Sequence, residues 1–402
     1  MTTTDHLHLA VALDGAGWHP AAWRAAGTAP ADLLSADHSL GLVRQAEAGL
    51  LDLVTFEDSF AVQSSSRERL DERTDQVRGR LDALLLASRL APLTKQIGLV
   101  PTVTTTHTEP FHVSTSVATL DWVSRGRAGW RVQVSARDVE AEQFGRREAP
   151  HLDLAAYQAG QQQEVVAELF DEAADVVEVV RRLWDSWEDD AIIRDASTGR
   201  FVDRDKLHYV EFEGRWFSVK GPSIVPRSPQ GQPVVVALAH ARIPYELAAR
   251  SADVVLVTPH DDRSAAAIEA EVRAAEAAVT RRGTPLQVWG EVLVLLDDNA
   301  AVARSRKERL DELDGAPLES DALVFTGTPG QLADQLLAWR ERGYTGFRLR
   351  PGVAQVDVPH IVHGLVPELQ RRGAFRTAYE ADTLRGLLDL APAANRYAAP
   401  AA

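Results

Sequence analysis

The sequence predicts an α/β fold, a (β/α)8 TIM barrel with insertions, on three observations. Eight strand-like runs, several nearly continuous in Val, Leu and Ile as strands buried on both faces should be, alternate with amphipathic helical patterns. No GxGxxG fingerprint marks an open dinucleotide-binding sheet. The stretch 97–135 reads strand, polar loop, helix, strand. Its first strand ends in Thr, His and Glu residues that no packing argument requires, the placement a barrel gives its active site.

In chain order the strands are expected at Leu7–Leu13, Leu51–Glu57, Ile97–Thr104, Gly129–Ser135, Pro233–Ala239, Asp253–Thr258, Val288–Leu295 and Gly346–Arg350. Each is a short apolar run of strand length. Helical spacing of apolar residues is expected over 40–49, 80–91, 113–124, 161–186, 243–251, 263–282, 299–313 and 329–342, with a last helix over 358–372. The helix after Gly327 is well signalled: Thr328 caps it, Pro329 sits in its first turn, and Leu332, Leu336 and Trp339 line one face. Two stretches break the repeat. Residues 59–79 are polar, follow the second strand at its C-terminal end and read as a lid. Residues 187–232 read as an insertion, with a hairpin turning at Glu213-Gly214 and a Pro-rich return. One barrel domain is expected over 1–376, followed by a loosely held tail, 377–402.

The 402 residues carry a net charge of −15, which argues against nucleic acid and anionic membrane surfaces as partners. Cysteine is absent, so disulfides, thiolate nucleophiles and Cys-ligated metals are excluded. The start, MTTTDHLHLAVALDG, has neither a basic stretch nor an apolar run of signal length. No run reaches the roughly 18 apolar residues of a membrane span, and a cytoplasmic location is expected. His107 and His112 flank Glu109-Pro110, and with only Glu109 as a further ligand no metal site is expected. Glu109-Pro110 reads as a helix start with His112 in its first turn. His107 is the catalytic candidate, as a general acid.

One set of motifs runs over nearly the whole chain. It begins with Gly17-Trp18-His19-Pro20 and Trp23-Arg24, Phe56-Glu57-Asp58 ending the second strand, and IGLVPTVTTT at 97–106. It continues through Glu109-Pro110-Phe111-His112, Thr119-Leu120-Asp121, Ser124-Arg125-Gly126-Arg127 and Gly129-Trp130. Leu183-Trp184-Asp185-Ser186-Trp187, Ser228-Pro229-Gln230-Gly231, Gly327-Thr328-Pro329 and Leu369-Gln370-Arg371-Arg372-Gly373 complete it. In this order and spacing the chain resembles the bacterial luciferase-like flavin monooxygenases, in the branch of the nitrilotriacetate and dibenzothiophene-sulfone monooxygenases. The resemblance implies a luciferase-like barrel, a homodimer or higher homo-oligomer, that binds reduced FMN (FMNH2) supplied by a separate NAD(P)H:flavin reductase. With O2 as co-substrate it would oxygenate a small organic substrate. The cofactor would do the difficult chemistry, while the protein holds the ring, stabilises its anionic pyrimidine end and excludes water.

It also implies site residues. Asp58 would contact the flavin at the barrel mouth; the alternative is a loop carboxylate capping the next turn. Thr102 and Thr104 share one face of the third strand and would frame the ring, although Thr is also a good strand residue. Arg131 follows Gly129-Trp130, where the family pattern usually has Asn. Pointing inward, it would bring a permanent charge to the N1–C2 edge of reduced flavin or to a substrate carboxylate; pointing outward, it would pair with a helix carboxylate. Ser135 closes the same run as a further cofactor contact.

The phosphate site departs from the resemblance. After the fifth strand the chain reads Ala237-Leu238-Ala239-His240-Ala241-Arg242-Ile243-Pro244, with Ala241 and Pro244 where the family has Ser and Gly. Proline removes a backbone N–H from an anion-binding helix start. Val166 and Phe170 stand in place of a His and a Tyr, and His151 and Tyr157 lie upstream at another spacing. His240 and Arg242 are the candidates to replace those contacts with side-chain charge. Rivals on the same barrel are a deazaflavin-dependent hydride-transfer oxidoreductase and a non-catalytic flavin- or ligand-binding barrel.

Overall fold

The apolar runs become a ring of eight parallel strands in the computed structural model, which describes residues 6–25, 29–66, 69–148, 151–281 and 284–398. They are β1 (His8–Leu13), β2 (Leu53–Phe56), β3 (Gly98–Thr104), β4 (Gly129–Gln133), β5 (Val234–Leu238), β6 (Val254–Val257), β7 (Gln287–Leu296) and β8 (Gly346–Pro351). Each pairs in parallel with the next, and β8 returns to β1 with Gly346 opposite His8. Closure leaves the ring without an edge. Around it lie α1 (Ala36–Ala48), α2 (Ala83–Leu90), α3 (Pro110–Ser124), α4 (Gln163–Asp185), α5 (Arg242–Ser251), α6 (Asp262–Ala278), α7 (Ala300–Asp314) and α8 (Pro329–Arg340). Thr328 and Gln331 form a reciprocal cap at the start of α8, with Pro329 in its first turn.

Two features differ from the sequence reading. Leu323–Gly327 adds a parallel strand on the outer half of β7, with Val292 opposite Leu323. The strand β7 runs on past its pairing with β8, and its exposed ladder takes this extra partner. The tail, expected to be loose, is instead a plug. Leu384 and Leu388 are fully buried with Val100, Val236 and Trp289 in the lower barrel interior. Glycine makes the room: a Cβ on Gly98 would lie 2.5 Å from Leu384 Cδ1. Arg376 fixes the plug by donating to Asp52 Oδ1 (2.5 Å) and Leu387 O (3.0 Å).

In the insertion, Phe212–Glu213 pairs with Ser218–Val219 about the expected turn, and Ile192–Asp195 with Arg200–Val202 forms another hairpin. Two of the quoted motifs prove to be one structural joint. Buried Asp121 accepts from Gln230 Nε2 (2.6 Å) and Ala128 N (3.2 Å), stitching α3 to the return of the insertion. Among the described residues no helix is long and apolar enough to cross a membrane.

Candidate active site

Strand periodicity decides which side chains enter the barrel. Thr102 and Thr104 lie opposite Arg131 and Gln133 in the β3–β4 register, and all four share the inner face. Arg131 donates through Nε to Thr102 Oγ1 (2.9 Å) and through Nη2 to Glu57 Oε2 (2.8 Å). Gln133 Nε2 reaches Thr104 Oγ1 and the Asp58 carbonyl, both at 3.3 Å.

The arginine is part of a longer chain of charge across the interior. Arg348 also binds Glu57, donates to Thr55 Oγ1 (2.7 Å) and meets Glu291 at 2.5 Å. Arg350 binds Glu291 and, at 2.5 Å, Asp321. His240 Nε2 stands 3.7 Å from Asp321 and its Nδ1 3.0 Å from Thr258 Oγ1, so His240 is the outer end of this network. Burial alone would raise the Glu57 pKa, but Arg131, Arg348 and Arg350 together outweigh it and hold it at about 2. Burial lowers Arg131 to about 10, which leaves it a cation at neutral pH.

Glu57, Glu291, Arg348 and Arg350 were not singled out from sequence as site residues. A signal existed: Arg348 and Arg350 stand two apart in a strand, so both face inward, and each needs a carboxylate partner from another strand. Trp18 covers this layer, its ring centroid 4.7 Å from the Arg350 guanidinium carbon.

His107 lies at the rim between Phe144, stacked at 5.2 Å, and Phe60, edge-on at 6.5 Å. Burial, then Arg147, lower its pKa, and its Nε2 is buried without a partner. Near it Ser59 Oγ donates to Glu140 Oε1 at 2.7 Å. Asp58 acts locally as a cap, accepting from Ser59 N and Ala83 N, both at 2.8 Å. Burial still raises its pKa. Ser135 is buried beside Thr106, whose hydroxyl accepts its N–H at 2.8 Å. His112 is exposed on α3, apart from His107. Among the described residues no group of His, Cys, Asp and Glu could hold a metal.

The structure separates His240 from Arg242. Arg242 is 74% exposed and pairs with Glu246 (2.8 Å) in an outer groove that Phe170 also lines. Arg250 beside it pairs with Asp171 at 3.2 Å. His151 is exposed and bound to Asp138 at 2.8 Å. With both arginines matched by carboxylates, this groove is no ready anion site.

The ring end of a flavin fits better. Nε and Nη2 of Arg131 are committed, which leaves Nη1 as the donor not used by Thr102 or Glu57. Trp18 Nε1 and Arg350 Nε in the same layer are buried donors without acceptors. Such orphans are costly, and a ring edge rich in carbonyl and nitrogen acceptors is the kind of group that suits a donor-rich layer.

A profile described as luciferase-like monooxygenase matches residues 16–311. The chain is 30% identical to N-acetyl-S-(2-succino)cysteine monooxygenase of Bacillus subtilis, over 98% of each chain. It is also 30% identical to nitrilotriacetate monooxygenase component A of Aminobacter aminovorans, over 100% of each. Among solved structures, a long-chain alkane monooxygenase superposes with a TM-score of 0.84 at 23% identity, covering 97% of this chain and 96% of that one. On these grounds the chain belongs to the luciferase-like monooxygenase family.

Proposed function

We propose that the protein is a monooxygenase that uses reduced FMN, delivered by a separate NAD(P)H:flavin reductase, and O2 to oxygenate a small organic substrate. The bound flavin would supply the activation of O2. The observation that carries the reading is Arg131: a cation inside the barrel mouth, fixed by Thr102 and Glu57, with Nη1 left to donate. There it stabilises negative charge on the pyrimidine edge of the ring, assisted by the unpartnered Trp18 Nε1. Thr102 and Thr104 frame the ring from β3. Ser135 and Asp58 bound the mouth, where Asp58 also orients the start of α2. His107, kept neutral by burial, holds or moves a proton at Nε2. Residues 59–79 act as the lid that keeps water out. His240 sets the outer end of the ion chain rather than a phosphate contact. The same reading assigns a cytoplasmic homodimer or higher homo-oligomer.

A second reading, deazaflavin-dependent hydride transfer, draws on one observation, the paired charges around Arg242 that leave the expected phosphate end without a free cation. Oxygen uptake separates the two. With FMN, NADH, a flavin reductase and catalase present, the monooxygenase consumes O2 in step with substrate loss. Substrate-independent uptake alone would count against it.

A further inference from the structure

We propose that the cavity beneath residues 74–81 is the substrate site and that it takes an uncharged, largely apolar organic molecule, not a polycarboxylate. This rests on the monooxygenase reading, which requires a substrate beside the Arg131–Glu57 pair.

The cavity measures about 300 Å3 and opens at the C-terminal ends of β1 and β2. Leu13, Trp23, Leu42, Phe56, Val77 and Leu86 form much of its wall. Glu57, whose carboxylate Arg131 and Arg348 hold, is among its lining residues. The cover is strapped down. Trp23 Nε1 donates to Asp75 O at 2.9 Å, and Arg73 bridges Asp75 and Asp314, both at 2.8 Å.

Charge decides the ligand class. Every charged side chain lining the cavity already has an opposite partner. Arg80 grips Asp14 through two bonds of 2.9 and 2.6 Å, Arg78 holds Asp71, and Glu57 holds two arginines. His38 is engaged at both ring nitrogens, by Gly15 O at 3.2 Å and the Gln355 amide at 3.3 Å. An entering anion must take Arg80 from Asp14 and strand that carboxylate in a half-buried site. A neutral molecule breaks no pair and gains the burial of apolar surface against the six wall residues.

The test is calorimetric titration of the full, flavin-free chain with two probes of one shape, 2-naphthamide and 2-naphthoate. The amide should bind about tenfold more tightly than the carboxylate. Asp14→Asn frees Arg80 and should tighten the carboxylate about fivefold while leaving the amide within about twofold. Val77→Trp fills the cavity and should abolish amide binding. Equal or tighter binding of 2-naphthoate to the unaltered chain, no binding of either probe, or amide binding indifferent to Val77→Trp would each overturn the proposal. Should Asp14→Asn not fold, the probe pair and Val77→Trp still decide. Because no flavin is present, a failure here and a failure to bind flavin are separate results.

Discussion

Arg131 Nη2 lies 2.8 Å from Glu57 Oε2 inside the barrel, a pair made across β3 by residues of β4 and the end of β2. Both are nearly shut off from solvent, and Arg348 completes the charge on the carboxylate. The pair therefore supports the fold and the site at once. Breaking half of it strands the other half. Arg131→Met should cost about 3 kcal/mol in urea unfolding. The double variant Arg131→Met/Glu57→Gln should lose clearly less than the sum of the single changes, a coupling of about 1 kcal/mol or more.

Acid should find the same pair. An ordinary glutamate titrates at 4.5, while Glu57 in the fold is held at about 2. The unfolded chain takes the proton first, so the stability this group contributes is complete above 4.5 and is lost as pH falls towards 2. The contribution is on the order of 3 kcal/mol. Unfolding curves at pH 7, 4.5 and 3 should show the gap between the unaltered protein and Glu57→Gln narrowing as pH falls.

His107 gives a second pH signature with its own window. Burial lowers its pKa below the ordinary 6.5, so the unfolded chain protonates first and stability falls as pH drops through 6.5. His107→Phe keeps the stack on Phe144 and removes the titration. Its stability should decline less between pH 7.5 and 5.5 than that of the unaltered protein, measured by urea unfolding.

The tail supplies a packing prediction. Leu384 is fully buried in the lower barrel interior. Leu384→Ala should destabilise by about 2–5 kcal/mol, the range for a large aliphatic residue lost from a core. A loose tail would give no measurable change in Tm.

Periodicity made much of this legible in advance. Eight runs rich in Val, Leu and Ile placed the ring strands within two residues at each end, and the spacing of Thr102 and Thr104 put both on the inner face, while the direction of Arg131 stayed open until its register opposite Thr102 was known. Leu323–Gly327 was passed over because its partner is the far half of β7, a relationship created by closure and not by local pattern. The plug escaped for a similar reason: Leu384, Leu388 and Leu390 look like a short apolar stretch until the hole left by Gly98 is known. Partners of charge were the hardest to read. Glu57 and Glu291 lie 234 residues apart and share Arg348 only because ring closure sets β7 beside β8, with Glu291 opposite Arg348, and leaves β2 one strand away on the other side, beyond β1. Arg242 was overvalued because its nearest carboxylate, Glu246, lies one helical turn away and captures it.

In the proposed function Arg131, not Arg242, is the cation the flavin meets. Anaerobic titration with photoreduced FMN tests it directly, with absorbance as the readout. Binding should weaken about tenfold or more in Arg131→Met and less than about threefold in Arg242→Ala. Undiminished binding by a folded Arg131→Met, or no binding by the unaltered protein, would contradict it.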